Sequence, residues 1–203
     1  MKRIAVFLSG RGSNFRAIHE EIERGTIGGT IVAVVSDNPD AKGLQYAEKK
    51  GIEHRVFEWS GEKTRAEYFQ RIMEYLETLS IDLIVLAGFM IVLSENIIGR
   101  YQNRIINIHP ALLPSFPGVE AQRRAYEYGV RYSGCTVHFI DNGVDTGPVI
   151  DQRVVPVHDD DDAHSLAERI LEQEHILFPE VVRLFCDDRL VVHGRKVFIR
   201  QDT

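Results

Sequence analysis

Up to Ala87 the chain alternates short apolar runs with amphipathic stretches, and that alternation restricts it to few architectures. Lys2 to Leu8, Thr30 to Val35, His54 to Phe57 and Ile81 to Ala87 read as strands, and Asn14 to Arg24, Gly43 to Lys50 and Lys63 to Leu79 read as helices. In the longest helix Phe69, Ile72, Met73, Leu76 and Leu79 recur at helical spacing. Strands and helices in alternation imply a parallel sheet with right-handed crossovers, its ligands gathered at the C-terminal ends of the strands. Ile81 to Ala87 is the most continuous run and reads as a central strand buried on both faces. The 203 residues suit one domain. The expected fold class is α/β: a single domain over 1–203, Rossmann-like, with a largely parallel sheet, helices on both faces and some antiparallel strands in the C-terminal half. Those later elements are a short helix at 121–128, strands at 133–140 and 149–157, a helix from Ala163, and a closing hairpin of Leu190 to Val192 and Lys196 to Ile199. Pro179 is expected to kink or restart that helix.

The first strand runs into Ser9-Gly-Arg-Gly-Ser-Asn14 and then a helix. Glycines let a ligand approach the backbone, and free N–H groups at a helix N-terminus favour an anion. Phe15 stands where a dinucleotide fingerprint wants its third glycine, so a monophosphate fits better than NAD. A plain tight turn and helix cap is the competing reading.

Arg104 to Gly118, RIINIHPALLPSFPG, carries a second signal. Ile105 and Ile106 read as the end of a buried strand, and alternation puts Asn107 and His109 on one side of the backbone. Pro110, Pro114 and Pro117 then force a stiff loop. Asn offers an amide donor and His a group that titrates near neutrality, a pair able to polarise a carbonyl and hold an oxyanion. The missing carboxylate is sought in Thr136 to Ile150, TVHFIDNGVDTGPVI, a strand opening into a Gly-rich loop with Asp141 and Asp145. His138 in that strand reads as a histidine satisfied within the core.

Several function classes are disfavoured. Net charge is −6 with no basic stripe, which argues against nonspecific nucleic-acid binding while leaving room for a local RNA contact. No apolar run is long enough to span a bilayer and the N-terminus lacks a signal-peptide layout, so a cytoplasmic protein is expected, with small ligands and no membrane partner. Cys135 and Cys186 read as reduced packing thiols. In His158 to His164, Asp162 reads as a helix N-cap rather than a metal ligand, and no metal is expected. Glu174 falls in the apolar stripe of Leu166, Ile170, Leu177 and Val181, so it must meet a cation, a donor or a ligand. No internal repeat, linker or low-complexity block interrupts the chain.

NIHPALLPSFPG followed by VHFIDNGVDTGPVI resembles the folate-dependent formyltransferases, on the side of that family that formylates glycinamide ribonucleotide, and the resemblance runs from residue 2 to about residue 192. It implies the formyltransferase fold, with about 1–100 as the nucleotide-phosphate side and about 101–203 as the folate and catalytic side. It implies Asn107, His109 and Asp145 as the catalytic trio, with His138 part of the active-site surround. Gly12, Ser13 and Asn14 would bind the substrate phosphate and Glu174 the ribose hydroxyls. Arg65, Met90, Ile91, Val92, Leu93, Asn107, Asp141 and Val144 would bind the folate, with Arg65 pairing with its glutamate tail and the Met90 to Leu93 backbone framing the pterin. The implied cosubstrate is 10-formyltetrahydrofolate, its formyl group passing directly to the amine through a tetrahedral intermediate. In that scheme His109 is protonated, Asp145 keeps it charged, and neither cysteine is a nucleophile. Without the resemblance, Arg65 reads as a surface arginine lying over the Phe69 stripe, and Gly88 to Leu93 as core packing. The chain departs from the family at Ile91, where relatives often have arginine, and at Glu120, where they usually have histidine. A formyltetrahydrofolate hydrolase, a methionyl-tRNA formyltransferase and a non-catalytic nucleotide or folate-binding module are the alternatives. A homodimer is open to so compact an enzyme, and the sequence does not decide it.

Overall fold

The computed structural model describes residues 1–61 and 64–201, which fall into two compact units, Met1–Asn107 and Ile108–Thr203. The first unit is built from β1 (Lys2–Leu8), α1 (Ser13–Glu23), β2 (Gly29–Ser36), α2 (Lys42–Lys49), β3 (His54–Val56), α3 (Arg65–Leu79), β4 (Leu83–Leu86), α4 (Glu95–Arg100) and the start of β5 (Ile105–His109). Its strands are parallel, in the order β3-β2-β1-β4-β5. The chain therefore moves outward from β1 through β2 to β3 and returns to the other side of β1 with β4. With right-handed crossovers this reversal puts α1 and α2, which pack together, on one face and the packed pair α3 and α4 on the other. It also leaves a crevice-forming switch point where β1 and β4 end side by side.

Burial explains why these strands are parallel. Ile4, Ala5, Val6, Phe7 and Leu8 of β1 and Leu83, Ile84 and Val85 of β4 are wholly buried, which only a sheet covered on both faces provides. The β4 strand is shorter at both ends than the apolar run Ile81 to Ala87, whose outer residues lie in the flanking turns. α3 begins with a capping box in which Thr64 accepts from the Glu67 N–H and Glu67 accepts from the Thr64 N–H. The expected start of this helix at Lys63 lies outside the described residues. α4 went unpredicted, because six residues give too short a periodic pattern to register.

The second unit continues from the end of β5 through α5 (Ala121–Tyr128), antiparallel β6 (Tyr132–Phe139) and β7 (Val149–Pro156), α6 (Ala163–Cys186) and the hairpin β8 (Leu190–His193) with β9 (Lys196–Ile199). Of the two outcomes expected at Pro179, a kink or a restart, the second is ruled out. Pro179 neither restarts nor divides it, and 24 residues run as one helix. Pro179 is itself buried beside Leu177, Phe178, Val181 and Val182, so tertiary packing outweighs the lost backbone hydrogen bond. At its start Asp162 accepts from His164 and Ser165 N–H, as an N-cap should. Asp161 lies in a two-pronged pair with Arg169. Among the described residues no group of three or more His, Cys, Asp or Glu could hold a metal ion, and no helix is long and apolar enough to cross a membrane.

Candidate active site

β5 delivers Asn107 and His109 from one strand, two residues apart and therefore on the same face. Asn107 pairs with Leu86 of β4, and His109 is 4% exposed. Pro110 stops the strand, and the loop that follows is fixed from within the second unit by one buried hydroxyl. Thr136 Oγ1 donates to Ala111 O at 2.7 Å and accepts from the Leu113 N–H at 3.1 Å and Gln152 Nε2 at 2.9 Å, while Gln152 also donates to Leu113 O. Thr136 thus holds both sides of the turn entering the proline segment. Farther on, Arg124 donates to Pro117 O, and Phe116 stacks edge-on against Tyr128.

The imidazole of His109 is caught between two acceptors. Its Nε2 lies 2.8 Å from Phe116 O and its Nδ1 3.3 Å from Asp145 Oδ2. A neutral ring carries one N–H and can donate to only one of them. Burial pushes the His109 pKa below its ordinary 6.5; the Asp145 carboxylate and the Phe116 carbonyl push it back up without restoring it. Desolvation thus outweighs the carboxylate, and the ring's proton affinity stays below its ordinary value.

Asp145 is the reverse case. Burial favours its protonated form, but hydrogen bonding from His138, the 2.7 Å bond from the Gly118 N–H and the two neighbouring imidazoles outweigh burial and hold it at about 2. It is therefore ionised at neutral pH. The Asp145 backbone has φ +54°, a left-handed conformation uncommon for a non-glycine residue. Asp141 Oδ1 braces the loop by accepting from the Gly143 N–H and Thr146 Oγ1, and Arg195 donates to Thr146 O. Gly147 is required, since a Cβ there would meet Phe139 O at 1.8 Å.

His138 is wholly buried, and its Nδ1 lies 2.9 Å from Phe139 O, so it is satisfied within the core as expected. Its other nitrogen stands 3.6 Å from Asp145 Oδ1, so it also faces the carboxylate. Sequence reasoning missed the Gly118 N–H and the Phe116 carbonyl. Backbone groups leave no side-chain signature, and only the Pro-Gly pair after Phe116 hinted at a turn.

In the first unit, Gly12 occupies the N-cap of α1 at φ +71°, Ser13 and Asn14 open the helix, and no side chain caps it. A Cβ on Gly12 would meet Gly43 Cα at 2.8 Å, so α2 packs against the turn backbone to backbone. Gly43 N–H donates to Gly10 O at 3.1 Å, and the Asn38 amide donates to Ser9 O at 3.1 Å. The apolar loop after β4 exposes Met90 and Val92, half-buries Ile91 and buries Leu93. Phe89 anchors it between Phe7 and Phe69. Arg65 is exposed at the first position of α3, and the adjacent Ala66 O accepts from Asn96, just beyond that loop. In the second unit Val144 is exposed beside Asp145, Asp141 is engaged in its own loop, and Glu174 is buried on α6. Glu120, at φ +54°, is the N-cap of α5 and faces Arg123.

A largely parallel α/β sheet with a buried imidazole beside a half-buried carboxylate at the end of a strand fits an enzyme of the α/β class. Residues 2–182 match the family described as formyl transferase, and the chain belongs to that family. It is 38% identical over 183 residues to the phosphoribosylglycinamide formyltransferase of Bacillus subtilis (strain 168), covering 90% of this chain and 94% of the relative. It is 40% identical over 193 residues to the trifunctional purine biosynthetic protein adenosine-3 of Drosophila melanogaster, covering 94% of this chain but only 14% of that longer protein. The crystal structure of glycinamide ribonucleotide transformylase 1 from Symbiobacterium toebii matches with a TM-score of 0.96 and 43% identity, covering 99% of this chain and 95% of that one.

Proposed function

We propose that the chain transfers the formyl group of 10-formyltetrahydrofolate to the amine of glycinamide ribonucleotide, a step of de novo purine biosynthesis. The observation that carries this reading is the ionised Asp145 carboxylate beside a buried His109, two residues along the strand from Asn107. Family membership and the names of the full-length bacterial relatives support the choice of substrates.

In the proposed mechanism the neutral amine attacks the formyl carbon, and the carbonyl π electrons move onto its oxygen. The Asn107 amide and a His109 N–H meet that oxyanion. Negative charge arriving beside a ring that already faces Asp145 raises its proton affinity, so the imidazolium disfavoured in the resting enzyme becomes favourable as the tetrahedral intermediate forms. For Nε2 to serve the oxyanion, the Phe116 carbonyl must give way. Asp145, directly or through water, takes the proton that the amine loses. The bond to the folate nitrogen then breaks, that nitrogen is protonated, and the formyl amide is left. No metal and no covalent enzyme intermediate takes part, and Cys135 fits this, because burial pushes its thiol up to about 12.

Gly12, Ser13 and Asn14 hold the phosphate at the positive end of α1, and Glu174 accepts from the ribose hydroxyls. Met90, Ile91, Val92 and Leu93 present main-chain groups to the pterin, Asn107, Asp141 and Val144 complete the folate contacts, and Arg65 pairs with the glutamate tail. The setting is cytoplasmic, and the chain acts alone or as a homodimer. The deciding assay supplies 10-formyltetrahydrofolate with glycinamide ribonucleotide, with methionyl-tRNA, or with water alone. Consumption of the formyl group that depends on glycinamide ribonucleotide is expected. Equal consumption in water would make the protein a hydrolase, and dependence on methionyl-tRNA would make it a tRNA-modifying enzyme.

A further inference from the structure

Ser9 has no role in the scheme above, yet it sits where β1 and β4 end side by side, at the switch point of the parallel sheet. Its backbone N–H donates to Gly88 O at 3.0 Å, and its Oγ accepts from the Met90 N–H at 2.9 Å. One residue therefore clamps both ends of Gly88-Phe89-Met90. Its own carbonyl accepts from Asn38, and the next carbonyl, Gly10 O, accepts from the Gly43 N–H. Ser9 is thus the first residue of the phosphate turn and the clasp of the loop assigned to the pterin. The Gly88 to Met90 loop cannot shift without disturbing a bond to Ser9, and Ser9 leads directly into the turn that ends at Asn14.

We infer that Ser9 is a positioning residue that couples nucleotide binding to folate binding, through the hydrogen bond from the Met90 N–H to its hydroxyl oxygen. This inference rests on the assignment of the two loops given above. Seating a phosphate at Gly12 to Asn14 fixes Ser9, Ser9 fixes the Met90 backbone, and the pterin then meets a loop already in place. By linkage the effect is reciprocal: folate must favour nucleotide by the same factor. Alanine at position 9 removes the acceptor and keeps both backbone bonds, so it should uncouple the loops while leaving each able to bind. Threonine keeps the hydroxyl.

The test is calorimetric titration of tetrahydrofolate, which carries no transferable formyl group, into the full-length protein with and without saturating glycinamide ribonucleotide. The parent protein is expected to bind tetrahydrofolate about fivefold or more tightly in the presence of the nucleotide, within the usual range of coupling between sites. Ser9→Ala should bring that factor below about twofold, Ser9→Thr should restore most of it, and the Met90 amide should exchange with deuterium faster in Ser9→Ala alone. An uncoupled parent, or Ser9→Ala with its coupling intact, would overturn the inference while leaving the assigned substrates standing. Failure of the parent to bind either ligand would instead remove the functional reading on which it rests.

Discussion

The glycine turn before α1 in the first unit, proposed to hold phosphate, and the Asp145 loop of the second handle charge in different ways. Around Gly12 the favourable field comes from the backbone: a left-handed glycine, an uncapped helix end and close packing against Gly43. Around Asp145 it comes from a half-buried side chain whose ionisation is maintained by the Gly118 N–H and two imidazoles. The first device depends on shape and tolerates changes of side-chain chemistry but not an added Cβ. The second depends on chemical identity and should be sensitive to loss of a single charge.

Asp145→Asn should give the largest effect, because it removes that charge and nearly preserves shape. A fall in turnover of about 100-fold or more is expected, with substrate affinities changing far less. Steady-state turnover and ligand titration separate the two. Gly12→Ala should fall next. Left-handed backbone costs an L-residue about 1–2 kcal/mol, and the clash with Gly43 adds to it, so nucleotide affinity should drop by about tenfold or more. Tetrahydrofolate alone should bind within about threefold of the parent value, and an equal loss for both ligands would erase the contrast between the two regions. Thr136→Val should change activity least. It deprives the Ala111 carbonyl, Leu113 N–H and Gln152 amide of a shared partner, and a stability loss of about 3 kcal/mol by denaturant titration is expected, with turnover within about threefold at temperatures where the variant stays folded.

How much of this was legible in the sequence follows the same division. Apart from α4, the strands and helices of the first unit were readable because a sheet buried on both faces writes continuous apolar runs, and because α3 carries several turns of periodic pattern. Helix boundaries fell within two residues, as at α1, expected over Asn14 to Arg24 and found over Ser13–Glu23. Pro179 did not restart α6, because packing outweighed the lost backbone hydrogen bond. The buried position of Glu174 followed from its place in an apolar stripe. Asn107, His109 and Asp145 could be picked out as candidates from their residue types beside prolines and glycines, but the protonation state of His109 could not. That state depends on how deeply the ring is buried, which no spacing of residues reports. The clasp at Ser9 was hidden for another reason: it joins residues 81 positions apart through a main-chain N–H.

Both perturbed groups make acid destabilising. His109 lies below 6.5 in the folded protein and Asp145 moves from 3.8 to about 2, so the unfolded chain binds more protons in both windows. Stability should therefore fall as pH drops from 6.5 toward the lowered His109 value, and again between 3.8 and about 2.

The central claim is that burial keeps His109 neutral while Asp145 stays charged beside it, so that the imidazolium is favoured only as negative charge develops on the substrate. The most direct measurement is an NMR titration of the His109 ring in the ligand-free parent protein and in Asp145→Asn, alongside turnover against pH for both. The account predicts a parent His109 pKa below 6.5, a further fall when Asp145 loses its charge, and a turnover defect that narrows as pH is lowered. A parent His109 that titrates at or above 6.5, or one that Asp145→Asn leaves unmoved, would contradict it.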